Sequence, residues 1–183
     1  MLAAALPMLL SFFSTVVYSI ITNQLERILD IFIPVNFINS IAFLIVFATL
    51  EEVGWRGFAL PKLREKYNFV SSALLLGLIW GIWHIPKLIS EGTTDALSII
   101  TLIIFGMLLS VLISWIYENT GGSIFIAIVT HASFNASIYC ISPEVMIKIG
   151  FNMMSLVYIV ILGIFVLSLF LYGGQNLRRL PKI

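Results

Sequence analysis

Charge is what this 183-residue chain has least of: only 10% of its residues are charged, against about 25% in an ordinary soluble domain. Too few charges remain to cover a water-facing surface. The formal net charge is +1, so no basic field exists to gather nucleic acid. A single cysteine, Cys140, excludes an intramolecular disulfide framework. It sits in an apolar stretch and reads as a small buried hydrophobe. Histidine occurs only twice, as His84 and His131. No low-complexity segment or internal repeat is evident, and no serine, cysteine or threonine lies in a recognisable nucleophile motif.

What is abundant is hydrophobicity: 60% of the residues are apolar and the mean hydropathy is +1.08. A helix crossing about 30 Å of hydrocarbon needs about 20 mostly apolar residues. Candidate spans are Leu2–Ile21, Phe37–Leu60, Phe69–Leu88, Leu97–Tyr117, Ser123–Ile141 and Met153–Tyr172. Polar or turn residues separate them: Asn23 to Arg27, Pro61 to Asn68, Glu91 to Asp95, Gly121-Gly122 and Ser142 to Glu144. The expected architecture is therefore all-α, a polytopic transmembrane helical bundle of about six spans enclosing an intramembrane polar cavity, with short connections and one domain. The first span begins without a basic segment and Pro7 interrupts it, so its length and lack of early charge argue against a cleaved signal peptide.

With six spans, Lys62, Arg64, Lys66, Arg178, Arg179 and Lys182 share one side with both termini. Arg27, Lys87 and Lys148 fall on the other. The bias of basic residues toward the cytoplasm places both termini there. The expected location is a bacterial plasma membrane, the bilayer being the principal surroundings and nucleic acid no partner.

Ionisable groups inside spans are costly and are functional candidates by default. Here they are Glu51, Glu52, Arg56, His84 and His131, with Asn135 beside them. At about 1.5 Å per residue, Glu51 lies about 14 Å below the end of its span, His84 about 22 Å, His131 about 12 Å and Asn135 about 18 Å. Three helices thus bring polar groups to similar depth. Gly77, Gly81 and His84 share a helix face, and the small-xxx-small spacing admits a close neighbour. His84 is therefore expected to point into the bundle. His131 and Asn135 also share a face. Glu52 and Arg56 can pair across one turn, whereas Glu51 is turned about 100° away.

Each feature has an ordinary alternative. Glu52–Arg56 can be a structural ion pair, a lone histidine a packing residue, and Trp55, Trp80 and Trp83 packing or interface aromatics. Together they allow water activation. Glu51 with His84 can take a proton from water and pass it to a leaving amine. His131 and Asn135 can donate to an oxyanion. Alternatively Glu51, His84 and His131 can hold zinc, whose bound water becomes the nucleophile, although Asn135 is a poor zinc ligand. Two other classes stay open: an ion-coupled transporter, and an immunity or interaction protein acting without cleavage.

Three segments carry a resemblance. Glu51-Glu52-Val53-Gly54-Trp55-Arg56, then Trp80-Gly81-Ile82-Trp83-His84, then His131-Ala132-Ser133-Phe134-Asn135 resemble the three motifs of the CPBP intramembrane proteases, also called the CAAX protease and bacteriocin-processing family. The patterns are E-E-x-x-x-R, an aromatic-x-x-x-H, and H-x-x-x-N or D. Each alone is weak, and all three in order are specific. The likeness covers residues 37–141. It implies an intramembrane endopeptidase with a site opening toward the cytoplasm. Glu51 would be the water-activating group and His84 its partner. His131 and Asn135 would stabilise the oxyanion or assist a metal, with Glu52 and Arg56 in support. The implied substrate is a peptide or protein near the membrane, prenylated in the CAAX-type branch. Trp80 stands where phenylalanine is frequent, and only one span precedes the Glu51 helix, where relatives often have more.

Overall fold

Long apolar runs fold as helices because hydrocarbon offers the backbone no other partners, and the computed structural model is built from long helices throughout. It describes residues 2–92, 95–142 and 151–173. Helix α1 is Leu2–Ile21, and a 3-10 turn at Leu25–Arg27 leads into α2, Ile28–Ile31. Helix α3, Val35–Gly54, passes through a π turn, Trp55–Ala59, into α4, Leu60–Arg64. Then come α5, Phe69–Ser90, α6, Ala96–Asn119, α7, Ile124–Ile138, and α8, Phe151–Gly173. Among the described residues the only extended pairing is an isolated bridge between Phe32 and Ile141. The fold is a helical bundle, as expected.

Several boundaries differ from the sequence reading. Pro61 does not end the second span: α3, the π turn and α4 form one apolar rod, Val35–Arg64, of 30 residues. Pro61 lies in the first turn of α4, where a missing N–H costs least. Pro86 likewise lies inside α5, which runs on to Ser90. The fifth span is shorter than expected. Helix α7 has 15 residues, about 22 Å of rise. Its chain leaves the helix because the backbone after Tyr139 pairs with the segment after α2. Ile33 N–H donates to Cys140 O at 2.7 Å, and Ser142 N–H donates to Ile31 O at 2.7 Å. Non-helical backbone inside a membrane protein survives only when its polar groups are met in this way. Cys140 is fully buried beside this bridge.

Among the described residues five helices are long and apolar enough to cross a membrane: residues 3–21, 35–64, 69–90, 96–119 and 154–171. Helix α5 packs on α6, α3 on α7, and α1 and α8 close the bundle from the other side. Small residues set the closest approaches. A Cβ on Gly77 would stand 2.5 Å from the Met107 Cα, and one on Gly81 would stand 2.9 Å from the Ile103 Cα. Between α3 and α7 the buried Ala48, Ala132 and Ala136 do the same work. Side-chain caps begin three helices: Asn68 accepts from Ser71 N–H, Asp95 from Ser98 N–H and Ser123 from Ile126 N–H.

At one end of the bundle Arg64 pairs with Glu118 at 2.6 Å. This ties the α4–α5 connection, with Lys62 and Lys66, to the end of α6. Arg178, Arg179, Lys182 and Lys148, which also enter the orientation argument, lie outside the described residues.

Candidate active site

The two adjacent glutamates of α3 face different neighbours. Glu52 has no exposed surface. Its Oε1 accepts from Arg56 Nη1 at 2.8 Å and meets His131 Nδ1 at 2.8 Å. Arg56 is also fully buried. Its Nη2 reaches the Ser110 carbonyl at 3.4 Å, and its guanidinium lies 5.5 Å from the Trp80 ring centroid.

Arg56 lies inside the π turn, which begins at Trp55, and pairs with Glu52 at i, i+4 spacing. Such turns interrupt α-helices most often at functional sites. Glu52, Arg56 and His131 thereby form one sealed cluster contributed by α3, the π turn and α7. Within it Glu52 Oε2 and Arg56 Nε have no partner among the described residues.

Glu51 is half-buried. Its Oε2 accepts from Trp80 Nε1 at 2.8 Å, across the gap from α3 to α5. Its Oε1 accepts no hydrogen bond from the described residues. His84, one turn beyond Trp80, is half-buried too. Its Nδ1 lies 2.9 Å from the Trp80 carbonyl. A carbonyl can only accept, so Nδ1 carries the proton and Nε2 keeps its lone pair in the neutral ring. The same reasoning applied to His131 places a proton on Nδ1, facing Glu52.

Aromatic edges join the two halves. Trp80 meets His131 at 5.0 Å and His84 at 5.6 Å, both edge-on. Trp83 meets His84 at 4.9 Å and Trp55 at 6.1 Å. Asn135, one turn beyond His131 on α7, is half-buried and makes no side-chain hydrogen bond among the described residues.

The structure therefore brings Glu51, Glu52, Arg56, His84 and His131 around one indole, with Asn135 a turn away. Trp80 reads from sequence as packing, yet its N–H is the group that meets Glu51. The signal was its position four residues before His84. The Ser110 carbonyl had no signal at all, being backbone. The zinc set fares differently. Among the described residues no three His, Cys, Asp or Glu side chains are gathered as metal ligands. Glu51, His84 and His131 each contact Trp80.

This geometry lies within the segment that comparison with known proteins singles out. The sequence model of type II CAAX prenyl endopeptidases, Rce1-like, matches residues 33–137. The chain belongs to this family. A CAAX prenyl protease 2 from Methanococcus maripaludis is 32% identical over 111 residues, which is 57% of this chain and 39% of that protein. The chain thus spans well under two thirds of the length of that curated relative. Membership in the CAAX endopeptidase family, together with five helices long enough to cross a bilayer, makes this an integral membrane protein. All three motifs lie inside the family match, on α3 and the π turn, α5, and α7.

Proposed function

We propose that this chain is an intramembrane endopeptidase that hydrolyses a peptide bond near the carboxyl terminus of a prenylated, CAAX-type protein. The substrate approaches from the cytoplasmic leaflet; with α7, only 15 residues long, counted as a sixth and shorter crossing, both termini of the enzyme are cytoplasmic. The observation that carries the reading is the half-open Glu51–Trp80–His84 arrangement backed by a sealed Glu52–Arg56–His131 cluster, inside the family segment.

The chemistry comes from the free atoms. Glu51 Oε1 and His84 Nε2 are both proton acceptors. A water held between them loses a proton as its oxygen attacks the scissile carbonyl. The carbonyl becomes a tetrahedral oxyanion. Asn135 Nδ2–H donates to it, while His131 stays in the buried cluster and backs the site through its edge-on contact with Trp80. Glu52 holds the His131 ring through Nδ1, with Arg56 keeping the carboxylate in register. Collapse of the intermediate breaks the C–N bond, and the proton taken from water passes to the amine. The second water hydrogen leaves with the new carboxyl group.

The test is cleavage of a farnesylated, fluorogenic CAAX peptide by protein reconstituted in lipid nanodiscs. Wild type should cleave it, and Glu51→Ala and His84→Ala should not. Cleavage that persists in both variants would sink the assignment. A chelator lane accompanies the assay: activity that resists chelation supports the Glu51–His84 scheme, and loss restored by zinc replaces it with a metal-assisted one. A transporter would instead show ion flux abolished by Glu51→Gln without proteolysis.

A further inference from the structure

We propose that Trp80 is a positioning residue for the hydrolytic step, acting through Glu51. The inference rests on the reading of Glu51 as the water-activating group, and it deepens that reading.

Four observations converge on this side chain. Its Nε1–H donates to Glu51 Oε2 at 2.8 Å. Its backbone carbonyl receives His84 Nδ1 at 2.9 Å. Its ring meets His84 and His131 edge-on, and the Arg56 guanidinium lies over its face. It is only 5% exposed. One residue thus touches both members of the water-activating pair and two members of the cluster behind them.

The platform is rigid because its helix is. Gly77 and Gly81 flank Trp80 on α5 and bring the α6 backbone so close that no Cβ fits at Gly77. The indole cannot turn without displacing α6 or the two imidazoles. A glutamate side chain, by contrast, has three rotatable bonds. An indole N–H bonded to an ionised carboxylate is a charge-assisted bond, stronger than a neutral one. It fixes Oε2 and leaves Oε1 as the oxygen offered to water. Without it the carboxylate can swing, and a misplacement of about 1 Å costs on the order of 10²-fold in rate.

The separating experiment replaces the indole of Trp80 with the isosteric benzothiophene, which keeps the ring and loses the N–H. Trp80→Phe is the genetically simpler form. On the farnesylated CAAX peptide, kcat should fall about 10- to 100-fold with KM changed less than about threefold. Thermal stability in detergent should stay near wild type for the isostere. A purely structural role would lower stability and leave kcat alone. An isostere with wild-type kcat, beside an inactive Glu51→Ala, overturns the positioning role while sparing the proposed function. Activity in Glu51→Ala overturns both. A substrate-free arm uses ultraviolet resonance Raman spectra of the indole N–H. The difference between wild type and Glu51→Ala should show the loss of one strongly bonded indole. Identical spectra would remove the bond and the proposal with it.

Discussion

Glu51 and Glu52 are neighbours in sequence, yet the protein treats them as different kinds of group. Glu52 is sealed, with a cation and an imidazole at 2.8 Å on the same oxygen. Glu51 is half-open and is held by a neutral donor on one oxygen only. A helix turns about 100° per residue, so one step along α3 moves a carboxylate from the α7 side to the α5 side. The difference separates two tasks that a membrane site must perform. A charge kept inside low-dielectric surroundings needs a compensating charge, or it is expelled or neutralised. A charge that meets a substrate needs a free oxygen and a path to water. Placing the two carboxylates side by side lets the sealed one support the histidine of α7 while the open one does chemistry.

The comparison breaks first if the open side proves dispensable. Glu51→Ala should lower cleavage of the farnesylated peptide by about 10⁴-fold, the upper range for a lost general base. Its unfolding free energy should fall by only about 1–3 kcal/mol, the cost of leaving the buried Trp80 N–H without its partner. The sealed side should behave the opposite way. Arg56→Ala leaves Glu52 buried and uncompensated, a change that costs about 3–5 kcal/mol when one partner of a buried pair is removed. Unfolding in mixed micelles measures both variants. Equal destabilisation by the two would erase the distinction between the glutamates.

Much of this site was legible in the sequence. Hydropathy marked the spans, because a bilayer leaves little choice of composition. The i, i+4 spacing paired Glu52 with Arg56 and set His131 beside Asn135, since helix geometry is nearly fixed. Other parts were not legible, each for a physical reason. The π turn at Trp55–Ala59 shifts a hydrogen-bond register, and no residue type announces that. The shortness of α7 comes from the Phe32–Ile141 bridge, a backbone pairing between segments about 100 residues apart. Trp80 counts as a hydrophobe because its ring dominates any scale, although its single N–H decides its role.

A smaller effect sharpens the comparison by acting first on the open side. The open side depends on α5, which carries Trp80 and His84. The sealed side draws its three members from α3, the π turn and α7. Gly77→Ala puts a methyl group 2.5 Å from the Met107 Cα and 2.7 Å from the Gly106 carbonyl oxygen, so α5 and α6 must part. Overpacking of this kind costs about 1–3 kcal/mol. The variant should also lose kcat, because the platform under Glu51 shifts. Because Ser110 neighbours Gly77 and its carbonyl accepts from Arg56, Gly77→Ala combined with Arg56→Ala should depart from additivity, and a double-mutant cycle measures by how much the two sides are coupled.

The smallest effect tests whether the open side responds to position or merely to stability. Asn68 caps α5, its Oδ1 accepting from Ser71 N–H at 3.0 Å. Losing such a cap costs about 1 kcal/mol. The cap lies on the same helix as Trp80 but 12 residues earlier in the sequence, about 18 Å along the axis. Asn68→Ala should therefore lower the unfolding free energy and leave kcat on the farnesylated peptide within about twofold. Gly77→Ala moves the helix sideways under the site, whereas Asn68→Ala only frays its far end. A kcat loss in Asn68→Ala as large as that in Gly77→Ala would mean that any weakening of α5 disturbs Glu51. The contrast between a rigidly backed open carboxylate and a charge-balanced sealed one would then have to be abandoned.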